Sequence, residues 1–225
     1  MSLTWTRRES WVAVFDVLGF AKLVAESGQD FPRAHLTDQL DELLGSLESD
    51  EQHHGSLEYL VFSDTIVIFS STQEPSGYPW FLLQCKNLIK DSIRLRLPLR
   101  GAISVGTTFV AAEHPIVLGV PFCEAFEYCA DQDWIGLLLA PSATHALRRA
   151  GLEPLHHHFV TGPVPLRRLS PDDVLAYRFQ DGMANFDSPL LSLLREMQHF
   201  APPDAKEKYA RTIKHIQQHH RSTDG

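Results

Sequence analysis

The chain has 225 residues, 44% of them hydrophobic, with 20 Lys and Arg against 28 Asp and Glu for a formal charge of −8. This ordinary globular composition excludes a disordered or fibrous chain and leads us to expect one compact domain. An acidic chain without a basic stripe is also unsuited to non-specific nucleic-acid binding. Its longest apolar runs, Trp11 to Phe15 and Ile135 to Pro141, fall far short of the roughly 20 residues of a membrane helix, so no membrane span is expected. MSLTWTRRES has no apolar leader, and Cys85, Cys123 and Cys129 are odd in number without CxxC spacing. Both features predict a cytoplasmic protein with neither a disulfide framework nor a structural zinc site. An anionic ligand would therefore need a local device to hold it.

In chain order, WVAVFDV (11–17) reads as a strand ending at an Asp, followed by a tight turn and an amphipathic helical stretch to Ser27. Leu36, Leu40, Leu43, Leu44 and Leu47 recur at helical spacing within 34–47. Leu57 to Phe62 and Thr65 to Phe69, separated only by Ser63-Asp64, predict an antiparallel hairpin. A helix follows from about Trp80 to Leu95, with Trp80, Phe81, Leu83, Leu88 and Ile89 as its packing face. The next strand runs from Leu99 to Val110, where Gly101 and Gly106 predict bends or close backbone approach. A helix at 121–129, a buried strand at 134–139 and a helix at 141–150 with Pro in its first turn complete this part. Loops rich in Pro and His then lead to two helices near 189–200 and 204–219. The order predicts an α+β fold, a ferredoxin-like βαββαβ antiparallel sheet with helices on one face, plus a C-terminal helical extension.

Asp16 at the end of the first strand and Asp64 in the hairpin turn are the informative pair. In a βαββαβ sheet these strands are neighbours, so both carboxylates can reach one point at the sheet edge. Two carboxylates that close repel each other and attract a divalent cation, and hard oxygen ligands suit Mg²⁺ or Mn²⁺. The turn Val17-Leu18-Gly19-Phe20 leads into a helix N-terminus whose free N–H groups would cradle a triphosphate. By itself an Asp before a Gly turn is more often a helix cap; the partner Asp in FSDTIVIFS is what raises the pair above that reading.

FDVLGF, FSDTIVIF and LPLRGAISVG, in that order and spacing, resemble the catalytic core of class III nucleotidyl cyclases over about residues 9 to 140. The resemblance implies that Asp16 and Asp64 hold two metal ions per active site, Mn²⁺ or Mg²⁺, with the Val17 carbonyl as a further ligand; Ser63 stands where a Gly is usual. It implies a catalytic domain at 1–152 and an extension at 153–225 that packs on the same domain or on a dimer interface. Where purine cyclases read the base with polar side chains, this chain has Leu60 and Ile116, and where they carry a transition-state Asn/Arg pair it has Cys123 and Glu127. A base is recognised by polar contacts, so the usual purine pocket is lost. Arg100, Arg167 and Arg168 are the available replacement cations.

Retained metal residues with an altered base site resemble a narrower group, the pyrimidine nucleotide cyclases of bacterial Pycsar anti-phage systems. GVPFCEAFEYCA, TGPVPLRRL and the KYARTIKHI helix are similar to theirs. The resemblance implies a cytoplasmic homodimer with active sites at the subunit interface. Each would convert UTP, or alternatively CTP, to the 3′,5′-cyclic monophosphate, which a separately encoded effector reads. Asp16, Asp64 and Arg100 are then the catalytic residues. Phe15, Leu18, Gly19, Phe20, Tyr59 and Arg167 are the nucleotide-binding ones, although only one of Tyr59 and Leu60 can face the base on a strand. Competing readings are a purine cyclase with an unusual pocket and a degenerate cyclase-like module that binds nucleotide or protein without catalysis. His53-His54, His156-His157-His158 and His219-His220 are read as surface histidines rather than zinc ligands. Cys123 and Cys129 are read as buried small hydrophobes.

Overall fold

The computed structural model describes residues 3–20, 36–48, 57–111, 116–152, 158–162, 164–179 and 189–220. Strand β1 (Trp5–Val17) lies at the centre of a sheet with β2 (Leu57–Phe62), β3 (Thr65–Ser70), β4 (Leu99–Ala111), β5 (Val117–Leu118), β6 (Gly136–Leu139), β7 (Phe159–Val160) and β8 (Leu175–Tyr177). The order is β2-β3-β1-β4-β6-β8-β7, with β5 paired to β4. The first four strands in this order are mutually antiparallel, and this is the expected ferredoxin-like core. Strand β6 joins β4 in parallel, and β8 and β7 extend the sheet beyond it.

The helices are α1 (Leu36–Glu48), α2 (Tyr78–Arg94), α3 (Val120–Asp131), α4 (Pro141–Arg149), α5 (Pro189–Phe200) and α6 (Pro203–His220). Residues paired across neighbouring strands project to the same face, which fixes where each helix sits. Trp11 touches Tyr78 of α2 with ring centroids 4.4 Å apart, so α2 covers the face of Trp11, Ala13, Phe15 and Val17. Helix α1 packs against α2. Phe69, paired with Val12, meets Phe122 of α3 edge-on at 5.8 Å, and buried Ser104 donates its hydroxyl to the Pro121 carbonyl. Helix α3 therefore covers the opposite face, that of Val12, Val14 and Asp16. Helices on one face is thus right for α1 and α2 and corrected for α3. With both faces covered, β1 from Trp11 to Phe15 is buried throughout.

Most element boundaries agree with the sequence within a few residues; the stretch from 21 to 27 lies outside the described residues. The packing face of α2 is Tyr78, Phe81, Leu82, Cys85, Leu88 and Ile89, whereas Leu83 is 40% exposed and Trp80 half-buried. Gly101 faces Phe15 across the β1–β4 ladder, and a Cβ there would overlap the Phe15 ring. That is the close approach expected at this glycine. No helix among the described residues is long and apolar enough to cross a membrane.

Candidate active site

Asp16 is the last residue of β1 to pair with β3, opposite Thr65, and Asp64 immediately precedes Thr65 in the hairpin turn. The Val17 N–H donates to the Asp64 carbonyl at 3.0 Å and the Leu18 N–H to the Pro98 carbonyl at 2.8 Å, which ties the two Asp-bearing segments together. Ser63 has φ +57 and is the only one of the two turn residues with positive φ. A two-residue hairpin loop with positive φ at its first position favours Gly there, so Ser63 holds a left-handed conformation that a β-carbon disfavours. Gly19, at φ +80, likewise supplies the left-handed step after β1.

Arg100 pairs with Asp16 across β1 and β4. Its Nε donates to Asp16 Oδ2 at 2.8 Å, with only 14% of the Arg100 and 23% of the Asp16 side chain exposed. Burial raises the Asp16 carboxyl above the usual aspartate range; Arg100 opposes this, and the charge of Asp64 adds to the rise. Arg100 Nη1 also donates to the carbonyls of Ala130 and Gln132 at 2.8 and 2.9 Å. Arg167 Nη2 reaches the same two carbonyls at 3.3 Å each. These carbonyls close the C-terminal end of α3, where the helix dipole favours cations. Two guanidinium groups are thereby gathered beside Asp16.

The loop carrying Arg167 is held by Asp131, whose side chain is 1% exposed. Its Oδ2 accepts the N–H groups of Arg167, Arg168 and Leu169 at 3.0, 2.8 and 2.8 Å, and Oδ1 accepts Arg168 Nε at 3.2 Å. Arg168 itself is 85% exposed and engaged with Asp131, away from Asp16. Sequence reasoning missed Asp131, and nothing near it in sequence announces the role.

Asp16, Val17, Asp64, Arg100 and Arg167 therefore assemble at one end of the central strands, with Leu18, Gly19 and Phe20 in the turn beside them. Phe15 does not join them: it is fully buried on the α2 face and cannot contact a nucleotide. Tyr59 pairs with Ile68 on that same face, whereas Leu60 pairs with Val67 and Val14 on the Asp16 face. The period-2 alternation of a strand thus puts the Phe15 and Tyr59 side chains on the face opposite to that of Asp16. Cys123 is exposed while Cys129 is buried, a correction for Cys123 only. Glu124 accepts the Ser142 N–H at 3.1 Å at the start of α4, a structural task, and Glu127 is exposed. His53, His54, His156 and His157 lie outside the described residues.

The sheet order and the antiparallel strands around β1 give this chain the fold of solved adenylyl and guanylyl cyclase structures. The chain is similar to the adenylyl cyclase CyaB from P. aeruginosa, at 14% identity over 78% of this chain and 96% of that chain, with TM-score 0.52. It is similar also to the catalytic core of a rhodopsin-guanylyl cyclase with converted specificity in complex with ATPαS, at 13% identity, 76% and 94% coverage and TM-score 0.56. The guanylyl cyclase domain of the RhoGC fusion protein from Blastocladiella emersonii gives 13% identity, 77% and 95% coverage and TM-score 0.55. At these identities the likeness establishes the fold. No protein-family model and no curated protein matches the chain.

Proposed function

We propose that this chain is a divalent-metal-dependent pyrimidine nucleotide cyclase that converts UTP to 3′,5′-cyclic UMP and diphosphate, with CTP to cyclic CMP as the alternative. The observation that carries the reading is the placement of Asp16 and Asp64 on tied, adjacent strand ends, close enough for Asp64 to raise the Asp16 carboxyl. A binding module has little use for two repelling carboxylates, whereas Mn²⁺ or Mg²⁺ takes a few protein oxygens and fills its remaining positions from phosphates and water. The donor set fits such ions: Asp16, Asp64 and the Val17 carbonyl would hold two of them, beside the Arg100 guanidinium that donates to Asp16 Oδ2. When bound, they supply activation of the ribose 3′-hydroxyl and stabilisation of departing diphosphate.

The chain's own residues do the rest. Arg100 and Arg167 offset negative charge on the phosphates in place of the absent Asn/Arg pair. With the Leu18 N–H taken by the Pro98 carbonyl, Gly19 and Phe20 offer the backbone N–H groups of this turn to the phosphate chain. Leu60 gives the Asp16 face an apolar wall where a purine reader would need a polar group, which supports a pyrimidine over a purine. The sequence resemblance supports a cytoplasmic homodimer with sites at the interface and a product that serves as an antiviral messenger for a separate effector.

The test is incubation of the purified chain with each of the four ribonucleoside triphosphates and Mn²⁺, with products identified by mass. Cyclic UMP or cyclic CMP is expected, and Asp16→Asn should lower its rate by at least about 10²-fold. No cyclic product from any triphosphate would overturn the cyclase reading and leave a nucleotide-binding module. A cyclic purine would overturn only the pyrimidine assignment.

A further inference from the structure

Helix α6 approaches the candidate site from the C-terminal side. Thr212, fully buried, accepts the Ile135 N–H at 2.9 Å, and its hydroxyl lies 3.0 Å from the carbonyls of both Ile135 and Lys208. Arg211 pairs with the Asp133 carboxylate and reaches the Asp133 carbonyl at 3.3 Å. The Asp133 N–H donates in turn to the Pro165 carbonyl at 2.8 Å, two residues before Arg167. One helical turn N-terminal to Thr212, Lys208 is thus carried to the 130–133 segment whose carbonyls hold Arg100 and Arg167.

The Lys208 ammonium forms no hydrogen bond or salt bridge among the described residues, in contrast to the Arg211 guanidinium beside it. It is half-buried and within electrostatic reach of Arg100, Arg167 and Asp16. Burial, then the charges of Arg100 and Arg167, lower its ammonium below the usual lysine range. Asp204 and Asp16 act on the ammonium in the opposite sense, but neither forms a salt bridge with it. Helix capping accounts for the two arginines, but it does not account for a lysine brought toward them without an acidic partner in hydrogen-bond contact.

We propose that Lys208 of α6, with Arg167 and Arg100, binds the polyphosphate tail of the nucleotide, so that the C-terminal extension supplies part of the site. The identity of the nucleotide rests on the cyclase reading; the cation site is tested without catalysis. Inorganic tripolyphosphate is titrated calorimetrically into the full chain in metal-free buffer. Wild type should bind at one site, Lys208→Met should weaken binding by about tenfold or more, Lys208→Arg should restore it, and exposed Lys206→Met should leave it unchanged. As a check on wild type alone, tripolyphosphate should protect Lys208 but not Lys206 from amine acetylation, read by peptide mass spectrometry. Absence of binding by wild type, equal affinity in folded Lys208→Met, or absence of protection at Lys208 would overturn the proposal. Tripolyphosphate binding that depends on Lys208, in a chain that makes no cyclic nucleotide, would reject the cyclase reading and leave the polyphosphate site standing. Cyclic product with Lys208-independent tripolyphosphate binding would do the reverse.

Discussion

Asp131 shows what one buried carboxylate does here. Burial alone would raise its pKa, but N–H groups from Leu169, Arg168 and Arg167 and the Arg168 guanidinium outweigh it and hold the carboxyl below the usual aspartate range. A depressed folded pKa contributes stability above the unfolded value near 3.9, which is lost as pH falls through the lower folded value. Asp131→Asn replaces an acceptor facing several donors with a group that is itself partly a donor. Urea unfolding at pH 7 should show a loss of about 1 to 3 kcal/mol, together with a raised KM for triphosphate as the Arg167 loop loosens. An unchanged unfolding midpoint would remove Asp131 from this role. Asp131 was illegible in the sequence because its partners are 36 to 38 residues away and no local pattern marks them. Asp16 and Asp64 were legible because each sits at a strand turn with its own local signal. The side chains of Phe15 and Tyr59 lie on the face opposite to that of Asp16 for a physical reason the sequence did contain: neighbours on a strand point to opposite faces.

The helices and long strands were readable because amphipathic periodicity is a local property. Which face of the sheet α3 covers was not, because that depends on the path of the β4–β6 connection. Strands β7 and β8, of two and three residues, are too short to produce any pattern and exist because they extend an edge already built. Helix α6 is tied to that edge by buried His215, whose Nε2 lies 2.9 Å from the Tyr177 carbonyl and whose ring meets Trp134 at 4.6 Å. Burial lowers the His215 pKa to about 4, against the opposing hydrogen bond to Tyr177. A lowered folded pKa means that the unfolded chain takes up the proton first as pH falls below about 6.5. Stability from His215 is therefore complete at pH 7.5, declines between pH 6.5 and 4, and changes no further below. The full decline is about 3 kcal/mol. Chemical denaturation at pH 7.5 and pH 5 should show this slope in wild type and a shallower one in His215→Gln; equal slopes would exclude His215 as its source.

At the scale of the whole molecule, the α3 side presents exposed apolar side chains that the proposed homodimer would cover. Phe62, at the turn end of β2 on the Asp16 face, is 83% exposed, and on α3 Val120 is 79% and Phe126 56% exposed. Covering a large apolar side chain contributes about 1.5 to 3 kcal/mol, so a homodimer that buries this side gains from these residues. A symmetric pair also duplicates the site with one interface. If the interface completes the site, activity per chain must fall on dilution below the dimer dissociation constant. Phe126→Glu places a charge where the partner would seat, without touching Asp16, Asp64 or the arginines. Sedimentation equilibrium should then show wild type as a dimer and Phe126→Glu as a folded monomer, with cyclase activity lost in step with association rather than with unfolding. A monomeric wild type whose specific activity does not change with dilution would rule out the interfacial site, and every catalytic group would then have to come from the single chain that already holds Asp16, Asp64, Arg100 and Arg167.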